Sequence, residues 1–119
     1  MFGMIAASLF AASATGVALD TGIFDTVLLA DDLIVTTYGI IEDTRCPNPE
    51  LCFREERLVV ATVIEYRGEE IGLVASMGEP IILEGGSLTL IGTTTRGSDD
   101  AINLEDYRLD WSFDPVEND

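Results

Sequence analysis

From Asp20 onward, apolar and polar residues alternate with a period of two, and the apolar positions are rich in Val, Ile, Leu and Thr. Side chains two apart share a face of an extended chain, so this pattern predicts half-buried β-strands and no amphipathic helix of useful length. The clearest run is "YRLDWSF" (107–113), where Tyr107, Leu109, Trp111 and Phe113 alternate with Arg108, Asp110 and Ser112. One face is apolar and the other wet. "RLVVATVIEY" (57–66) is the longest β run, and "RGEE" turns it into "IGLVAS" (71–76). "FDTVLLA" (24–30) and "LIVTTYGII" (33–41) flank Asp31-Asp32, a tight-turn pair. "MGEP" leads into "IILE" (81–84), and Gly85-Gly86 is a hairpin signal before "SLTLIGTTTR" (87–96). The expectation is an all-β domain of about seven antiparallel strands in a small sandwich or barrel. Two longer loops interrupt it, 42–56 and 97–106.

The region before Asp20 breaks the pattern, because it carries no charge at all. An apolar block to about Ala12 followed by "ASATGVA" reads as a signal peptide, with processing after Ala14 or Ala18. No Lys or Arg stands at its start, and a membrane anchor and a buried helix are the competing readings. The expected organisation is therefore a signal segment at 1–18, a single β domain at 19–114 and a frayed acidic tail at 115–119. The expected location is periplasmic or extracellular.

Charge narrows the range of partners. The 119 residues carry 22 carboxylates against six arginines, with no lysine and no histidine, for a formal net charge of −16. Such a surface repels nucleic acid and anionic membranes. The acids are spread along the chain, which favours a solvated, soluble surface and a monomer. Without histidine the usual general base and Ser–His arrangements are missing, and without lysine no phosphate-binding Gly-Lys loop can be completed. The chain is expected to be a non-enzymatic domain with a structural or binding role in the cell envelope, or alternatively a protease-inhibitor-like recognition module using the 46–52 loop, with no cofactor and an unidentified protein or small ligand as its partner.

The remaining chemistry sits in the two loops. "RCPNPELC" (45–52) holds both cysteines, five residues apart, and two of the four prolines. A redox pair would want a tighter spacing at a helix start, and zinc would need two more soft or imidazole ligands. A structural disulfide between Cys46 and Cys52 fits an exported chain. The closed, proline-braced loop is also a candidate recognition element, comprising Arg45, Pro47, Asn48, Pro49, Glu50 and Leu51. Arg45, beside Glu42 and Asp43, is expected to act as a surface counter-charge. In the second loop Asp99, Asp100, Asn103, Glu105 and Asp106 are oxygen donors of the kind calcium prefers, though without EF-hand spacing.

"GIIEDTRCPNPELC" (39–52) also resembles a family of small bacterial secreted proteins and lipoproteins with an E-D-S-R-C-P-x-x-x-x-C signature. The match covers Glu42, Asp43, Arg45, Cys46, Pro47 and Cys52, with Thr44 where the family has serine. The chain departs at "FREE" (53–56), where the family shows valine, tryptophan, alanine and glycine, and it has no lipobox cysteine. The resemblance implies export and a disulfide, and carries no activity.

Overall fold

The computed structural model describes residues 16–116, which form eight β-strands and two single 3-10 turns. The strands are β1 (Val17–Thr21), β2 (Thr26–Ala30), β3 (Leu33–Asp43), β4 (Leu58–Tyr66), β5 (Glu69–Ser76), β6 (Ile81–Leu83), β7 (Gly86–Thr93) and β8 (Leu109–Pro115). They build two four-stranded sheets, β1–β8–β7–β6 and β2–β3–β4–β5, with every pairing antiparallel. The all-β expectation is met by a sandwich and not by a closed barrel.

The alternation read from the sequence is what packs the two layers together. Leu33, Val35, Val60 and Ile64 from one sheet meet Leu88, Leu90, Leu109 and Trp111 from the other, all buried. Each such side chain contributes roughly 1.5–3 kcal/mol when fully buried. Tyr66 and Phe113 close one end of this core edge to face, with ring centroids 5.9 Å apart.

The turns follow residue chemistry. Asp31-Asp32 joins β2 to β3 and Arg67-Gly68 joins β4 to β5, both as two-residue connections. Arg67 and Gly68 have φ of 54° and 85°, the doubly left-handed geometry whose twist matches a hairpin. The β6–β7 turn lies one residue earlier than expected, at Glu84-Gly85, with Gly86 already paired to Leu83. A Cβ on Gly86 would sit 2.5 Å from the Phe113 ring, so this glycine serves packing and not the turn.

Two boundaries differ from the sequence reading. Val17 and Ala18 belong to β1 and pair with Ser112 and Trp111, so of the two processing points only the one after Ala14 leaves β1 whole. Residues 1–15, most of the expected signal segment, lie outside the described residues. At the other end Pro115 is still in β8, and the Val116 amide donates to the Gly85 carbonyl at 2.8 Å. The ordered strand thus runs into the segment expected to fray. Residues 117–119 are outside the described residues.

Candidate functional site

The site grows from an irregularity in β3. Its core-facing positions begin as Leu33, Val35 and Thr37. The register with β4 then shifts twice, between Thr37 and Gly39 and between Ile40 and Glu42, leaving Tyr38 and Ile41 as extra residues. Each bulge inverts the inward–outward parity. The two inversions cancel, so Asp43, paired with Leu58, keeps the inward parity of Leu33, Val35 and Thr37 and faces the end of the core.

There Asp43 organises a buried polar cluster. Arg45 donates from Nε to Oδ1 and from Nη2 to Oδ2, both at 2.8 Å. The Tyr107 hydroxyl donates to Oδ2 at 2.6 Å from across the sandwich. Arg45 Nη1 donates to the Thr95 carbonyl at 2.6 Å, so one guanidinium joins β3 to the loop after β7. Arg45 is 8% exposed. Arg45 is the counter-charge of Asp43 that the sequence suggested, but the reading is corrected in two ways: the pair is buried and not at the surface, and Arg45 is not available to a partner. Glu42 instead faces Arg57 at 3.6 Å.

The cluster shifts its own titrations. Burial works to raise the Asp43 carboxyl, but the hydrogen bonds from Arg45 and Tyr107 and the Arg45 charge outweigh it and hold its pKa below the usual value. Burial first, then the hydrogen bond to Asp43 and its negative charge, push the Tyr107 phenol up from 10.0 to about 12. A raised phenol pKa means that folding disfavours the tyrosinate. Its contribution is whole below the unfolded value of 10.0 and is lost as pH climbs through about 12. Stability is therefore expected to fall across that alkaline window. Tyr107→Phe should flatten the fall, as read by denaturation beside the ultraviolet tyrosinate titration. An unaltered alkaline limb in this variant would refute the assignment.

Above the cluster lies the cysteine loop. Cys46 and Cys52 are joined in a disulfide, and the described residues contain no free cysteine. Inside the ring Asn48 caps a 3-10 turn, accepting from the Glu50 amide at 3.1 Å, with Pro49 at its first position. Glu56 accepts the Cys46 amide at 2.9 Å, and Arg54 Nε donates to the Thr44 carbonyl at 2.7 Å. The two loops also meet. Arg54 reaches Asp99 at 3.4 Å, and Arg96 donates to the Pro47 carbonyl at 3.2 Å. Gly97 passes so close that a Cβ there would lie 2.6 Å from the Cys46 carbonyl oxygen.

What this bracing presents to solvent is mixed, with large apolar side chains among polar ones. Pro47, Asn48, Pro49, Glu50 and Leu51 are exposed, and Phe53 beyond the ring is 98% exposed. Leu51 and Phe53 flank a groove of about 400 Å³ whose other walls include Arg54 and Asp99. Phe53 was not among the candidates, although a lone aromatic between a cysteine and "REE" was a readable signal. The acids proposed for calcium all lie exposed in their loop. Among the described residues no three of Asp99, Asp100, Glu105 and Asp106 bring oxygens within 4.8 Å of one another. Cys46, Cys52 and Glu56 do meet that distance, but the two sulfurs are bonded to each other.

Comparison with known proteins gives no match: no family model, no curated protein and no solved structure is similar to this chain.

Proposed function

We propose that this chain is an exported, non-catalytic β-sandwich that binds a partner protein through the tip of its disulfide-closed loop. One observation carries the reading. Phe53 stands 98% exposed on a segment fixed by a disulfide, two arginines and a glutamate cap. An exposed aromatic gains by burial in a partner, and the braced backbone on either side of it loses less entropy on binding. Leu51 and the groove beside it supply the surrounding contact surface. Export is supported by the uncharged N-terminal segment and by the disulfide.

The test is capture from the host's exported fraction on immobilised oxidised protein, followed by affinity measurement with whatever is captured. Phe53→Ser should fold as the parent does and weaken binding about 30-fold or more, the roughly 2 kcal/mol of a hot-spot aromatic. Equal capture by the parent and Phe53→Ser would sink the reading.

A further inference from the structure

We propose that, once its disulfide is opened, the cysteine loop is a binding site for a thiophilic divalent cation such as zinc or cadmium, held by Cys46, Cys52 and Glu56. Two cysteines alone leave such an ion short of ligands. The fold supplies a third. Glu56 stands just beyond the ring, and its carboxylate and the two sulfurs all come within 4.8 Å of one another. Among the described residues no other three acids or cysteines gather so closely. Two sulfurs each about 2.3 Å from a tetrahedral ion stand about 3.8 Å apart, and a carboxylate oxygen binds at about 2.0–2.2 Å. The Cα atoms of Cys46 and Cys52 are 5.6 Å apart, so rotation of the two side chains opens that gap with the backbone in place.

The frame of the site does not depend on the bond between the sulfurs. Glu56 Oε2 accepts the Cys46 amide at 2.9 Å, which sets the carboxylate against the ring and leaves Oε1 for a metal. The Thr44 hydroxyl donates to the Glu55 carbonyl at 2.7 Å and accepts the Arg57 amide at 2.9 Å. The chain before Cys46 and the chain after Cys52 therefore stay tied when the ring opens. Ligands already in place lose less entropy on binding. Two thiolates and a carboxylate put three negative charges around a doubly charged ion. The guanidiniums of Arg54 and Arg96, bonded to the Thr44 and Pro47 carbonyls, offset the excess. Both sulfurs are half-buried and Glu56 is exposed, so the fourth position of the ion faces water.

Entry to the site is a redox step with a defined balance. A dithiol reductant attacks the Cys46–Cys52 bond, gives two electrons and two protons to the sulfurs, and leaves as its own cyclic disulfide. The ion then displaces the two thiol protons to solvent and forms two metal–sulfur bonds and one bond to Glu56. The loop thus has two closed states, one held by sulfur on sulfur and the other by the metal. Neither uses Leu51 or Phe53, so the site stands apart from partner binding.

The purified chain is reduced with a water-soluble phosphine, which ends as its oxide by taking the oxygen of one water molecule. It is then titrated with zinc alone by calorimetry, and with cadmium alone by the ultraviolet thiolate charge-transfer band. The expected result is one ion per chain at a roughly micromolar dissociation constant, weaker than a four-ligand structural zinc. Two protons should leave per ion. Zinc should also raise the melting temperature of the reduced chain and not of the oxidised one. Glu56→Gln, which keeps an oxygen for the Cys46 amide, should weaken zinc at least about tenfold. Glu55→Gln, an equal loss of charge one residue away, should leave it unchanged. Zinc bound as tightly by the oxidised chain as by the reduced one overturns the proposal. So does an equal loss from the two substitutions, or one ion per two chains, where four sulfurs close the sphere without Glu56.

Discussion

Arg45→Ala is expected to lower the free energy of unfolding by about 3–5 kcal/mol, the cost of removing one partner from a buried ion pair. The figure follows from what remains behind. Without the guanidinium, Asp43 keeps its charge at an inward position with only the Tyr107 hydroxyl and the residue-45 amide to solvate it, and the Thr95 carbonyl loses its donor. Against a typical domain stability of 5–15 kcal/mol this is a large fraction, and the loss should be read by urea denaturation. The double variant Asp43→Ala with Arg45→Ala should cost less than the sum of the two single changes, because no unpaired charge is then left in place. A loss below about 1 kcal/mol for Arg45→Ala would put the pair with ordinary surface ion pairs and defeat the account.

Replacing both Cys46 and Cys52 by serine should cost on the order of 2–3 kcal/mol while the sandwich survives. Closing a seven-residue ring removes roughly 2.4 kcal/mol of unfolded-state entropy on the loop-closure account. Native contacts suffer less, because Glu56, Arg54 and the Thr44 hydroxyl hold the loop independently of the sulfurs. Thermal melting with and without reductant measures the effect, beside non-reducing mass analysis of the protein from its host. Two free thiols, or a melting temperature indifferent to reduction, would remove the disulfide from the stability argument. If the loop also recognises a partner, the double variant should lose binding by more than its unfolded fraction accounts for.

The layers were legible where a strand has one wet face. Trp111 and its neighbours on β8 alternate without interruption, and the period alone fixes which side faces in. β1 was missed because "VALDT" is a short edge strand whose pattern merges into the uncharged segment before it. The bulges in β3 were invisible for a different reason. Nothing in "TTYGIIED" marks where an extra residue enters, since that depends on what β4 places opposite. They did not hide Asp43, which keeps the inward parity of Leu33, Val35 and Thr37; what stayed hidden was the burial of Arg45, whose cluster draws on Thr95 and Tyr107 from outside the strand. One clue was available. Tyr107 falls on the inward alternation of its strand, and a buried phenol needs a hydrogen-bond partner. The partner lies 64 residues away, a separation that local pattern cannot bridge. The disulfide was legible because a pair of cysteines five residues apart, with no histidine or third cysteine beside it, has few other uses.

The pairing of β1 with β8 also sets an order of assembly. The β2–β3–β4–β5 sheet grows by successive hairpins between neighbours in the chain. In the other sheet, the hydrogen bond from the Asp20 amide to Asp110 spans 90 residues, and β8, with Trp111, is the central strand between β1 and β7. Contacts of such long range form late. A chain emerging from its N-terminal end therefore holds half a sandwich, its inner face uncovered, until the last strand arrives to seal it. Folding of the sandwich can be completed only once β8 has been made, and until then the apolar inner face of the first sheet is open to any other apolar surface it meets.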